Sequence, residues 1–208
     1  MSVDIAYMRR SIDAAFRLAM RDERAWSGFD LTASGFFRSF GAILVVIPVN
    51  ILIDLLSVQL SAGQRAQHKE PISTHVYDLG EAMFSTLTLC AQWLIFPIVM
   101  IFVLRFLSLE HRYSALIIAH NWGTVVVALF NLPPMLLYVA GLISVDQTFN
   151  LSFIVLGLTL YYRFYIAQTA LGAGWSTAAS ITLLELVLQV YFAFGVSLTQ
   201  SLWLPPGS

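Results

Sequence analysis

Residues 79–107 read LGEAMFSTLTLCAQWLIFPIVMIFVLRFL. About 20 such residues are enough to cross the hydrocarbon core of a bilayer, so this run predicts a membrane-spanning helix, with Pro97 inside it. The rest of the chain has the same character. Of its 208 residues 58% are hydrophobic and 11% charged, and the mean hydropathy is +0.77. A soluble domain carries about 25% charged residues, and a soluble chain this apolar would expose patches that soluble monomers avoid. The net charge of -1 gives no bulk attraction to nucleic acid.

Toward the N-terminus, 61–76 reads as a polar loop holding Arg65, His68, Lys69, Glu70, Pro71 and His75. Before it, 36–60 is a first span with Pro48 inside, about 37 Å long at the rise of a helix. Residues 27–35 form a turn in which Asp30 or Thr32 caps that span. Residues 1–28 differ in kind. Over 4–24, Ile5, Met8, Ile12, Ala15, Phe16 and Ala19 recur at three- and four-residue steps and make one apolar face. Arg10, Asp13, Arg17, Arg21 and Arg24 fall on the other, giving a basic face. A basic amphipathic helix of this kind lies in the membrane interface; the alternative, packing on the protein's own cytoplasmic face, is compatible with it. Arg9, Arg10, Asp13, Arg17 and Arg21 interrupt every apolar window that a cleavable signal peptide needs.

Toward the C-terminus, 108–112 is a short link with Glu110 and His111. The run 113–143 would reach about 46 Å as one helix, against about 30 Å of hydrocarbon. Asn131-Leu132-Pro133-Pro134 bends it, because Pro134 forces Pro133 out of the helical region. One span over 113–130 and a short helix near the outer surface result. A polar loop with Asp146 follows at 144–150, then a fourth span over 151–171, a tight turn at 172–174 and a fifth span over 176–203. The fold class is therefore all-α: a polytopic transmembrane helix bundle of five spans within 29–208, preceded by a basic amphipathic interfacial helix within 1–28.

With five spans, Arg9, Arg10, Arg17, Arg21, Arg24, Arg38, Arg105, Arg112 and Arg163 fall on one side, and Arg65 and Lys69 on the other. The positive-inside rule places the larger set in the cytoplasm, with the N-terminus inside and the C-terminus outside. In a bacterium this membrane is the inner one and the C-terminus is periplasmic. The aromatic residues agree. Trp26, Tyr113, Tyr161, Tyr162, Tyr165 and Trp175 fall near the inner interface, and Tyr77 and Trp203 near the outer one.

Charges at membrane depth cost about 2.5–3.5 kcal/mol each, so each needs a partner or a purpose. Arg163 and Glu185 lie at similar depth on adjacent spans, which predicts an ion pair. Thr182 and Gln189 share the face of Glu185, and His120 and Asn121 reach a matching depth on the third span. Two readings of this buried cluster stand side by side: a proton or substrate relay, and a charge pair that clamps three helices together. At the outer level, Asp54, Asp78 and Glu81 form an acidic cluster, with Asn50 one turn from Asp54 and His68 and His75 nearby. It is read as a water-facing rim or as a cation site, although its spacing fits no metal motif. Ala115, Ala119 and Gly123 repeat at four-residue steps, a stripe that lets another helix approach closely; Ala170 and Gly174 repeat it more weakly. Trp93 and Trp122 fall near mid-membrane, where they pack the core or meet a lipid, pigment or partner subunit.

Cys90 stands alone, so no internal disulfide forms, and no Cys/His cluster has zinc spacing. No catalytic motif is present; neither a metal nor a cofactor is expected. The stretch Phe29-Asp30-Leu31-Thr32-Ala33-Ser34-Gly35-Phe36-Phe37-Arg38-Ser39-Phe40, running into Pro48, together with five closely spaced spans, resembles the Yip1-like family of membrane proteins, small bacterial inner-membrane members in particular. The resemblance implies a cytoplasmic N-terminal segment before five spans. The Asp-Leu-Tyr-Gly-Pro motif of the eukaryotic members is missing, so their part in vesicle traffic does not carry over, and no residue inherits a role.

The leading expectation is a non-enzymatic scaffold, accessory subunit or membrane-organising factor. Its partners would be membrane lipids and either another membrane protein or further copies of itself. The alternative is a small proton- or solute-coupled transporter or channel built on Arg163, Glu185 and His120, with the 131–134 break as a gate. A third option, an enzyme acting on lipid, would gain from a polar cavity converging on His120.

Overall fold

The computed structural model describes residues 4–69 and 77–203, with side chains as far as residue 195. Among these residues the chain is helical throughout: α1 (Ile5–Ala19), α2 (Ala33–Ser39), α3 (Ile43–Gln67), α4 (Leu79–Phe106), α5 (Tyr113–Phe130), α6 (Leu132–Val139), α7 (Val145–Leu171) and α8 (Trp175–Trp203). Five helical stretches are long and apolar enough to cross a membrane: Ala33–Gln67, Leu79–Phe106, Glu110–Val139, Val145–Leu171 and Trp175–Gly195. α5 is the axis of the bundle, touching α7 most extensively and also α1, α2, α3 and α4.

Several boundaries differ from expectation. α3 runs seven residues past 60, so 61–67 is helix and not loop. α7 starts at Val145, because Ser144 and Gln147 form a reciprocal capping box that satisfies its first turn. Gln67 and Asp146, both assigned to loops, meet at 3.0 Å. Pro133 and Pro134 do not leave the helical region. They occupy the opening turn of α6, where a missing N–H costs nothing. The Gly172 turn matches expectation: its φ of 59° suits a residue without a Cβ. Residues 70–76 lie outside the described residues.

The N-terminal segment differs most. α1 ends at Ala19, Arg21 takes a left-handed φ of 61°, and a 3-10 turn covers Glu23–Gly28. α1 buries Tyr7, Ser11, Ala14, Ala15 and Leu18 against the bundle, while Ile5, Phe16 and Met20 are exposed. Of the expected apolar face, Ala15 is buried and Met8, Ile12 and Ala19 pack against the core, so the face turns toward the protein and only Ile5 and Phe16 point away. The basic face is divided too. Arg10 is exposed on α1, Arg17 pairs with Asp22 at 2.7 Å, Arg21 lies over the Tyr165 ring at 5.3 Å, and Arg24 belongs to the 3-10 turn.

α1 lies along the flank of the bundle. The Tyr7 ring meets Trp122 edge-on at 5.7 Å, and Tyr162 donates to the Ala15 carbonyl at 2.8 Å. Trp122 is nine residues on from Tyr113, and Tyr162 nine residues before Leu171, so both contacts fall about 14 Å along their helices. Tyr162 and Tyr165 are consequently buried, in contact with Ala15 and Arg21 of the N-terminal segment. Thr32 caps α2 by accepting from the Gly35 N–H. Asp30 accepts from Thr32 and pairs with Arg38. The Thr32 hydroxyl first, and the Arg38 guanidinium after it, hold the Asp30 carboxyl below the usual carboxylate range. Arg38 in turn lies over the Tyr7 ring at 4.5 Å, which ties α1 to α2.

Candidate functional site

The expected Arg163–Glu185 pair is present, with Arg163 Nε 3.1 Å from Glu185 Oε1. Both side chains are buried. An isolated charge there would be strongly unfavourable, and each compensates the other. His120 joins through Nε2 at 3.0 Å, and Gln189 through Nε2 at 3.2 Å, both on the same Glu185 oxygen. Arg163 also donates to the His120 carbonyl at 3.0 Å and to Thr124 Oγ1 at 2.8 Å. α5, α7 and α8 are thereby joined through one guanidinium. Phe96 of α4 stacks flat on the His120 ring, with centroids 3.9 Å apart. Asn121, expected in this cluster, gives its amide N–H instead to Ser39 Oγ on α2 at 2.9 Å. Thr182 bonds back to the Ala178 carbonyl one turn earlier.

A cavity of about 180 Å³ opens beside this cluster, between α4, α5, α7 and α8. His120, Thr124, Arg163, Glu185, Gln189 and Gln92 supply its polar lining. Apolar side chains, among them Trp93, Phe96, Val127 and Phe192, supply the rest. Sequence reasoning had not assigned Gln92, Thr124 or Phe96 to a site. Gln92 was findable as the one amide within the α4 run, and Thr124 as the hydroxyl one turn beyond His120. The stacked Phe96 had no local signal.

The outer acidic residues do not converge. Asp78 and Glu81 form the capping box of α4, each satisfying a backbone N–H of the other's residue. Asp54 is separate: its Oδ2 accepts from Asn50 and Tyr77, both at 3.1 Å, and from Ser85. Burial first, and the Asp54 charge next, hold the Tyr77 phenol above its ordinary range, so it stays a donor. His75 lies outside the described residues, as does the side chain of Trp203.

The small-residue stripe packs the bundle from within. Ala119 is fully buried, and a Cβ at Gly123 would run into Ile166 and crowd Tyr162, so this glycine sets the approach of α7 to α5. Gly174 is exposed and takes no part in such a stripe. Trp122 is fully buried against Tyr7, whereas Trp93 is a wall of the cavity. Set against protein-family models, curated proteins and solved structures, the chain matches none.

Proposed function

We propose that the protein is a small proton-linked transporter whose working site is the cavity beside His120, Arg163 and Glu185. One observation carries this reading. A buried carboxylate, imidazole and guanidinium in mutual contact line a cavity, and do not fill a closed core. Ionisable groups at membrane depth mark proton and solute pathways when they border a cavity. Neighbouring helices can be clamped by polar contacts alone, and a clamp requires no space beside it. The scaffold reading loses support, because Gly123 is taken up in packing α5 on α7 and Ala119 is fully buried, so neither is offered to a partner. We keep the Yip1-like resemblance, the bacterial inner membrane and a cytoplasmic N-terminus within the proposal. They rest on the span order, residues 29–40 and the arginine distribution.

The test is proton flux into pyranine-loaded proteoliposomes under an imposed potassium diffusion potential. The native chain should acidify the lumen faster than protein-free vesicles, and Glu185→Gln should abolish the difference. Native vesicles that behave like empty ones, or a Glu185→Gln rate equal to native, would remove the proton-linked reading.

A further inference from the structure

The charged side chains that line the cavity cancel. Among its lining residues Arg163 is the sole arginine or lysine and Glu185 the sole carboxylate, and they are 3.1 Å apart. A ligand with a net charge would leave one charge uncompensated in a buried setting, where an unpaired ion is strongly unfavourable. Polar groups remain for a neutral ligand. Gln92 can both donate and accept; Gln189, with one N–H on Glu185, keeps its other N–H and its carbonyl oxygen; Thr124, which donates to the His120 carbonyl and accepts from Arg163, can accept once more. The Trp93 Nε1 and His120 Nδ1 atoms have almost no accessible surface and lie behind the wall, so a ligand's polar head meets the amide and hydroxyl groups. A hydroxyl or amide head, which donates and accepts, suits the Gln92 amide, which carries both functions.

Size and wall chemistry set the remainder. A cavity of about 150 Å³ takes benzene. The volume here, about 180 Å³, has room for one ring or a short chain plus a polar atom. Phe96, Val127 and Phe192 offer apolar surface to such a body.

Resting on the transporter reading, we propose that this cavity takes a small uncharged molecule with a hydroxyl or amide head and an apolar body, phenol being its simplest representative.

The experiment is calorimetric titration of the full chain in nanodiscs with phenol, benzoate and benzylammonium, after subtraction of empty nanodiscs. Phenol should bind at least about tenfold more tightly than either ion, a gap of about 1.4 kcal/mol. In Glu185→Gln the Arg163 charge is left unbalanced, and benzoate should overtake phenol. Leu188→Trp, which fills the cavity, should abolish phenol binding. Either ion matching phenol on the native chain would overturn the charge argument, and so would phenol binding that survives Leu188→Trp. Should Glu185→Gln fail to fold, the native ranking decides alone. Absence of proton flux with the phenol ranking intact would fault the transport reading and leave the ligand class standing. Failure of all three ligands to bind would remove the cavity as a ligand site.

Discussion

Two carboxylates in this bundle each gather three polar partners on a single oxygen, and they do so by different means. Glu185 Oε1 takes His120, Arg163 and Gln189, one of them a permanent cation. Asp54 Oδ2 takes Asn50, Tyr77 and Ser85, all neutral. The Glu185 cluster joins three helices and borders a cavity; the Asp54 cluster staples α3 to the start of α4. Neutral donors are enough to hold a carboxylate in the middle of α3. A cation in addition brings a second buried charge, which pure stapling does not require. That excess of charge, set beside open space, distinguishes a candidate working site from a structural one.

Removing one charge of the balanced pair should have the largest effect. Arg163→Met leaves Glu185 buried without its cation and should cost about 3–5 kcal/mol, whereas Arg163→Met combined with Glu185→Leu should recover most of it. Thermal unfolding in detergent checks both; equal losses in the single and double variants would contradict a compensated pair. At the other carboxylate, Asp54→Ala strands three neutral donors, and about 1–3 kcal/mol should go. The smallest effect is expected from Tyr77→Phe, about 0.5–1.5 kcal/mol. Its signature is pH dependence. The phenol is raised in the folded state, so its contribution is complete below the ordinary phenol range and lost as pH climbs through the raised value. Tyr77→Phe should flatten that alkaline decline in melting temperature; an unchanged decline would place it elsewhere.

The spans were legible because apolar length against bilayer thickness is a strong constraint, and the Arg163–Glu185 pair because depth along adjacent helices follows from residue counting. The orientation of α1 was legible in part. Apolar periodicity selected Ile5, Met8, Ile12, Ala15, Phe16 and Ala19 as one face for the membrane interface, with packing on the protein as the alternative; four of them pack on the core, and Ile5 and Phe16 do not. Beside a membrane bundle, lipid accepts such residues as readily as protein does, and close packing selects small ones, here Ser11, Ala14 and Ala15. The cap errors had a visible remedy. Ser144-x-x-Gln147 and Asp78-x-x-Glu81 carry the spacing of reciprocal capping, yet the first was read as loop and the second as a water-facing rim or cation site. The cavity itself could not be read, since it depends on how α4 and α8 diverge around Trp93 and Gln189, and no local spacing encodes that.

The most direct test of the difference between the two carboxylates is to run the pyranine flux assay on Glu185→Gln and Asp54→Asn side by side, at matched protein content. The account predicts that Glu185→Gln falls to the protein-free rate while Asp54→Asn keeps most of the native rate. Equal loss in both, or full activity in both, would contradict it.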